Sequence, residues 1–145
     1  MIVLFLGVAI SSFTSCKKDV SGCTNPNADN YNADADNDDG SCILAREKFL
    51  GAFSAIETCG GGNDTYSITI IESGSSEDAV VLGNLYDWGE PLNATISGSN
   101  ITIPSQLTSG LTFSGSGSIS GNTLTINFTV SDGTNSDNCN AICTR

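Results

Sequence analysis

The chain has 145 residues, of which 16 are acidic and 5 basic, and its formal net charge is −11 because it contains no histidine. Five basic residues cannot neutralise a phosphate backbone, which excludes nucleic acid as a partner. The lack of histidine removes the commonest general base and the commonest transition-metal ligand.

The N-terminal segment carries an export pattern. Residues 1–10 are apolar and are followed by a serine-rich stretch that ends at Cys16. Such a run is too short for a transmembrane helix, which needs about 20 residues, but it matches the hydrophobic part of a signal peptide. Ser15 directly before Cys16 resembles the end of a bacterial lipoprotein signal. The resemblance implies that residues 1–15 are removed, that Cys16 is acylated, and that residues 16–21 tether the protein to the outer membrane of the cell envelope, on either its periplasmic face or the cell surface.

Six cysteines stand at positions 16, 23, 42, 59, 139 and 143. Export places them in an oxidising compartment, where disulfides form. Cys23 and Cys42 bracket one compact segment and are predicted to pair with each other. Cys59 then has two candidate partners, Cys139 and Cys143, and the choice between them depends on the strand pattern described below.

Residues 22–44 form an acidic segment with no basic residue. It begins with Gly22-Cys23-Thr24, continues through Asn30-Tyr31-Asn32 and ends with Asp38-Asp39-Gly40-Ser41-Cys42. These letters resemble a short Cys-bounded module of exported proteins in Bacteroidota. The resemblance implies a small separate unit between the lipid tether and the rest of the chain.

The acidic module also offers candidate calcium ligands, namely Asp34, Asp36, Asp38 and Asp39. Ca²⁺ takes six to eight oxygen ligands, and closely spaced aspartates before a glycine supply them. An EF-hand is excluded, because placing Gly40 at loop position 6 puts Ala35 at position 1, where an acid is needed. Two interpretations stay open: a different calcium loop, or a solvated acidic spacer closed by a disulfide. No other cofactor is expected.

Residues 45–145 form the main domain, in which apolar and polar residues alternate with period two. The cleanest run is 124–130, where Leu, Ile, Phe and Val alternate with Thr and Asn. Strict alternation predicts strands with one buried face. Gly-Ser at 98–99 and Gly-Asn at 121–122 are typical of two-residue hairpin turns. The predicted strands are 47–58, 65–72, 78–84, 91–97, 100–105, 111–120, 123–131 and 136–144.

About eight strands with short connections predict an all-β, up-and-down antiparallel meander that closes into a barrel. In a closed barrel with an even strand number, the first and last strands lie side by side and antiparallel. Cys59 ends the first strand and Cys139 lies in the first half of the last, whereas Cys143 lies about 13 Å further along at ~3.3 Å per residue. We therefore expect a Cys59–Cys139 disulfide. Gly51-x-Phe53 at the start of the domain resembles the opening of lipocalin-like barrels, which implies a possible carrier fold.

The alternation also predicts the barrel interior, which comprises Phe49, Phe53, Tyr66, Ile68, Ile70, Phe113, Ile119, Leu124, Ile126, Phe128 and Val130. Gly115 and Gly117 fall on the same face as Phe113, and they mark either a bend or a place where a ligand approaches. Tyr86 and Trp88 lie in a loop with acidic neighbours. They either cap one end of the barrel or contact a sugar or a partner protein of the envelope.

No catalytic constellation stands out in the sequence. Asp87 and Glu90 are the nearest carboxylate pair of the kind that glycosidases use, but the other acids fall in predicted turns, so we expect no enzyme. Two functions stay open. The protein is either a structural or adhesive envelope module with a filled core, or a carrier for a small apolar or carbohydrate ligand. A continuous cavity of about 300 Å³ or more would favour the carrier.

Overall fold

The computed structural model describes residues 18–145. The predicted signal peptide at 1–15 and the predicted lipidation site at Cys16 lie outside the described residues. Within the described range, no helix is both long enough and apolar enough to cross a membrane. The chain divides into the small acidic module and a β-barrel that follows it.

The strands of both parts are short and regular. The module contains the parallel pair β1 (Ser21–Gly22) and β2 (Asn37–Asp38), and the barrel contains β3 (Gly51–Cys59), β4 (Gly62–Glu72), β5 (Ala79–Gly83), β6 (Pro91–Ser97), β7 (Asn100–Thr108), β8 (Leu111–Ser120), β9 (Thr123–Ser131) and β10 (Ser136–Thr144). Two 3₁₀ helices, Ala45–Lys48 and Leu85–Asp87, lie at opposite ends of the barrel. The predicted strand at 47–58 in fact begins at Gly51, because the preceding residues turn across the barrel end and bury Phe49 completely.

The predicted closed, eight-stranded antiparallel barrel is confirmed. Each strand pairs with the next along the chain, and β10 closes the barrel by pairing antiparallel with β3, from Asn140 opposite Thr58 to Thr144 opposite Ser54. This closing pair, which we call the seam, carries the predicted Cys59–Cys139 disulfide. The predicted Cys23–Cys42 disulfide closes the module. Cys143 is unpaired and buried.

Side chains fill the barrel interior. Every residue predicted to face inward is buried. The largest fully buried side chains are Phe49, Phe53, Phe113, Ile68, Ile70, Leu82, Leu85, Leu92, Ile101, Ile103, Leu124 and Ile126. Each such burial contributes about 1.5–3 kcal/mol relative to exposure, so the filled interior is the main source of stability.

The two ends of the barrel differ in what covers them. At the module end, Lys48 Nζ lies 2.9 Å from Asp29 Oδ2, and Asn25 Nδ2 donates to Glu77 Oε2 at 2.7 Å. These contacts seat the acidic module against the barrel. At the opposite end, which we call the mouth, the β3–β4, β5–β6, β7–β8 and β9–β10 connections meet.

Gly115 and Gly117 allow β8 to approach β9 closely. A Cβ at Gly115 would lie 2.6 Å from the backbone oxygen of Asn127 and 2.7 Å from the Cβ of Phe128. A Cβ at Gly117 would lie under 3.0 Å from the backbone oxygen of Thr125. The space beside both glycines is therefore taken by β9, and a ligand role for them stays a prediction.

Replacing Gly117 by alanine is expected to lower the free energy of unfolding by about 2–3 kcal/mol, the usual range for overpacking. The cost arises because a backbone oxygen in a paired strand cannot move away without loss of the Gly117–Ile126 register. Urea unfolding measures it. Gly60→Ala is the matched control, since a Cβ there meets nothing within 4 Å. Equal stabilities of the two variants would contradict the close approach.

Candidate functional site

A pocket of about 340 Å³ opens at the mouth. Four acidic residues and two tyrosines line it: Glu57, Asp64, Asp87, Asp137, Tyr66 and Tyr86. Among the described residues, no basic side chain lines this pocket. Lys18 precedes the module, and Arg46, Lys48 and Arg145 lie at the module end. The mouth is thus a concave, uncompensated negative surface.

Strand alternation places Glu57 at the base of the pocket. Phe53, Ala55 and Glu57 share the inward face of β3, and Glu57 is only 3% exposed. Ile56 points outward and is 58% exposed. Sequence reasoning missed Glu57. It follows Phe53 by an even number of residues along the same strand, which was a sufficient signal that its side chain faces the interior.

In the described part of the chain, the two carboxylate oxygens of Glu57 share one hydrogen-bond donor. The Tyr66 hydroxyl donates a short hydrogen bond to Glu57 Oε2, and the same hydroxyl accepts from the backbone N–H of Tyr86 at 3.0 Å. The other oxygen, Oε1, lies 3.2 Å from Cys59 Sγ. That sulfur belongs to the seam disulfide and carries no hydrogen, so it cannot donate. Glu57 Oε1 therefore belongs to a buried side chain and has no hydrogen-bond donor among residues 18–145.

Burial raises the pKa of Glu57, and the nearby Asp64, Asp87 and Asp137 raise it further, while the Tyr66 hydrogen bond opposes the change. Burial and Glu57 also raise the pKa of the Tyr66 hydroxyl far above its ordinary range. The pKa of the Cys143 thiol rises to about 12 through burial and the charge of Glu57. Burial on the interior side of the mouth therefore favours the neutral forms of Glu57, Tyr66 and Cys143.

The stability of the protein is expected to fall as pH rises through the raised pKa of Glu57. Above the ordinary glutamate pKa of 4.5, the folded state binds this proton more tightly than the unfolded state, so ionisation of Glu57 favours unfolding. Glu57→Gln removes the titration. Urea unfolding from about pH 4 to pH 8 should give a difference between variant and wild type that grows with pH. A difference independent of pH would contradict the raised pKa.

The 3₁₀ helix Leu85–Asp87 partly closes the mouth. Leu85 is buried beneath it, and the Tyr86 ring packs edge-to-face on Phe113 and Phe128 at centroid distances of 6.4 and 6.3 Å. Tyr86 Oη donates to Asp137 Oδ2 at 2.8 Å, which raises the pKa of Tyr86. The turn needs left-handed backbone at Asn84, Tyr86 and Asp87. Tyr86, one of the two predicted loop aromatics, is thus part of the mouth.

Of the other loop residues singled out in the sequence, Asp87 lines the pocket, whereas Trp88 and Glu90 do not. Trp88 is 39% exposed and does not line the mouth. The carboxylate pair considered for catalysis is engaged in local hydrogen bonds, since Asp87 Oδ1 accepts from Asn84 Nδ2 at 3.2 Å and Glu90 Oε1 accepts from Ser109 Oγ at 2.9 Å. A partner role for Trp88 stays a prediction.

The structure does not bring the module aspartates together around one point. Asp38 Oδ1 accepts from Gly40 N at 2.9 Å, and Asp39 Oδ1 accepts from Ser41 N at 3.0 Å. Hydrogen bonds from the side chain and then the backbone of Ser41 hold the pKa of Asp39 below its usual range. Within residues 18–145, the one group of three metal-ligating side chains whose ligand atoms lie within 4.8 Å of one another is Glu57, Cys59 and Cys139. Calcium binding by Asp34, Asp36, Asp38 and Asp39 stays a prediction.

Two further pockets lie away from the interior. One of about 310 Å³ follows the contact between module and barrel, beside Ala28 and Ile96. Another of about 440 Å³ is a groove on the outer wall, lined by Ser114, Asn127 and Asn140 among others. Gly115 contributes backbone to this outer groove.

Comparison of the chain with models of protein families, with curated proteins and with solved structures finds no match.

Proposed function

We propose that the protein is an exported, lipid-anchored envelope protein whose β-barrel serves a structural or adhesive role without catalysis. The observation that carries this proposal is the filled interior. Phe49, Phe53 and Phe113 are fully buried inside the barrel together with nine aliphatic side chains. A carrier barrel needs that volume for its ligand. Contacts with other molecules are thus left to the outer wall and the two ends.

The lining of the mouth pocket gives little support to the alternative function as a carrier. The mouth pocket has a carrier-like volume of about 340 Å³, but four carboxylates line it. Apolar ligands are bound mainly by hydrophobic and aromatic side chains, with only a few polar groups. A lipocalin-like role for an apolar ligand therefore does not fit the lining.

The position of the module agrees with a tether at the barrel end opposite the mouth. Ser21, the last residue of the predicted tether, pairs with Asn37, and the next residue, Gly22, pairs with Asp38. The module in turn contacts the barrel through the Lys48–Asp29 ion pair. On this proposal the lipid lies on the module side, and the mouth is free to meet other molecules.

Metabolic labelling with a palmitate analogue tests the anchor. The full chain is exported in a bacterium, and wild type is compared with Cys16→Ser and with the control Cys143→Ser. We expect label on wild type and on the control but not on Cys16→Ser, because only Cys16 stands at the predicted cleavage point. Labelling of Cys16→Ser, or absence of label on wild type, would contradict the anchor.

Native mass spectrometry of the detergent-extracted wild type tests the filled barrel. We expect the mass of the processed polypeptide plus its lipid, less four hydrogens for the two disulfides. A retained apolar organic mass would contradict the proposal and favour the carrier. This measurement and the labelling are independent, so each part of the proposal can fail alone.

A further inference from the structure

We propose that the mouth is a binding site for an organic cation, a molecule that carries primary ammonium groups, with Glu57 as the anchoring acceptor at its base. This inference goes beyond the structural role and needs neither the lipid anchor nor adhesion. It rests on the pocket, on the buried acceptor inside it and on the distribution of charge over the barrel.

The first argument is the unfilled acceptor. Glu57 is 3% exposed and lines the pocket, and within residues 18–145 the one polar neighbour of its Oε1 atom is a disulfide sulfur that has no hydrogen to donate. Buried polar atoms in proteins nearly always have a hydrogen-bond partner, and an unmet one costs free energy. A ligand N–H group entering the pocket supplies the missing donor, and a charged ammonium supplies a stronger bond than a neutral amide.

The second argument is the separation of charge between the two ends of the barrel. Asp64, Asp87 and Asp137 surround the pocket above Glu57, whereas the basic side chains of the described range lie at the module end or before the module. A cleft lined by one sign of charge concentrates ligands of the opposite sign. The mouth therefore attracts cations, and no basic side chain of residues 18–145 lines it.

The third argument favours an organic cation over a metal ion. Ca²⁺ binds its oxygens at about 2.3–2.6 Å, so its ligand atoms must crowd within about 5 Å of one another. In the part of the chain that the structure describes, the group that meets such a limit contains two sulfurs already bonded to each other. The carboxylates of the mouth are instead spread around about 340 Å³. That volume lies within the range of small-molecule sites, about 300–1,000 Å³.

Binding is expected to release a proton. An ammonium group favours the ionised form of Glu57, so its affinity should increase with pH through the range in which Glu57 loses its proton. The titratable groups that face Glu57 are Asp64 on β4, Asp87 in the 3₁₀ helix, Asp137 on β10, the hydroxyls of Tyr66 and Tyr86, and the thiol of Cys143. The carboxylates of the three aspartates add electrostatic attraction for the cation.

Isothermal titration calorimetry of the exported full chain with spermidine tests the site. We expect Glu57→Gln to weaken binding by about tenfold, the effect of removing one charge-assisted hydrogen bond, and Asp64→Asn to weaken it by about threefold. The matched control is Asp34→Asn, which removes one exposed negative charge from the module. Asp64 is exposed, so its variant decides the matter if Glu57→Gln does not fold.

The outcomes separate specific binding from general attraction. The site is supported if Glu57→Gln and Asp64→Asn weaken the affinity for spermidine while Asp34→Asn changes it by less than about twofold. Equal losses in all three variants, no heat with spermidine, or tighter binding of CaCl₂ than of spermidine would overturn it. A capped tripeptide with a central lysine distinguishes the source of the ammonium group. Glu57-dependent binding of that peptide assigns the site to a side chain of a partner, and binding of spermidine alone assigns it to a free polyamine.

Discussion

Replacing both Cys59 and Cys139 by alanine is expected to lower the free energy of unfolding by about 4 kcal/mol in the chain-entropy model of disulfides. The bond links residues that are 80 positions apart and encloses almost the whole barrel. Its loss therefore increases the conformational entropy of the unfolded chain, which favours unfolding. Guanidinium unfolding followed by Trp88 fluorescence measures the loss. A change below about 1 kcal/mol would show that backbone pairing alone holds the seam.

The same pair gives an internal comparison. Serine at positions 59 and 139 places hydroxyl donors near Glu57 Oε1, whereas alanine places none. The Ser pair should therefore be more stable than the Ala pair by about 1 kcal/mol, the usual net value of a hydrogen bond. Replacing Cys23 and Cys42 by alanine is a second control, because it removes a disulfide outside the barrel. That bond spans only 19 positions and acts on the module, so the barrel should keep its own transition.

Phe113→Ala is expected to cost about 3–5 kcal/mol, the range for removing a buried aromatic ring. Phe113 is fully buried and supports the Tyr86 ring that covers the mouth. Its removal should leave an apolar cavity in a barrel that is otherwise filled. Dry cavities of this kind bind small apolar molecules. Thermal unfolding with and without saturating benzene measures both effects.

The control for Phe113→Ala is Leu107→Ala, because Leu107 is 73% exposed on β7. Its loss should change stability by less than about 0.5 kcal/mol, and benzene should not raise its unfolding temperature. If wild type itself were stabilised by benzene, the interior would contain a cavity already, and the structural role proposed above would be wrong.

Much of the barrel follows from side-chain alternation. Residues 123–131 and 136–144 were predicted with their observed bounds, because each has one apolar and one polar face. The strand predicted at 100–105 continues to Thr108, past Pro104 and a bulge between Ile103 and Gln106. Proline lacks the N–H needed for regular pairing and interrupts the pattern. Backbone pairing resumes at Gln106, and the apolar residue of that stretch, Leu107, is 73% exposed and marks no buried face.

The mouth was less accessible to sequence reasoning, for two physical reasons. Its groups come from β3, β4, the 3₁₀ helix and β10, and Glu57 and Asp137 meet only because the barrel closes. The position of Tyr86 depends on three left-handed residues in one turn, which no apolar pattern encodes. Glu57 is different, because its place on the inward face of β3 follows from the same alternation that identified Phe53.

Arg145, which follows the last strand, contacts the residues that lead into the first strand of the barrel. Arg145 donates to the backbone oxygens of Leu50 at 2.6 Å and Lys48 at 2.8 Å, and its guanidinium stacks 4.8 Å from the centre of the Phe53 ring. Because β10 pairs with β3, the eight strands form a closed cycle, and the chain can in principle be opened at any of the connections between them. A circular permutant of residues 50–145 that joins Arg145 to Leu50 through a short linker and opens at Ser109 keeps every strand pair of the barrel, yet it moves both ends to the mouth.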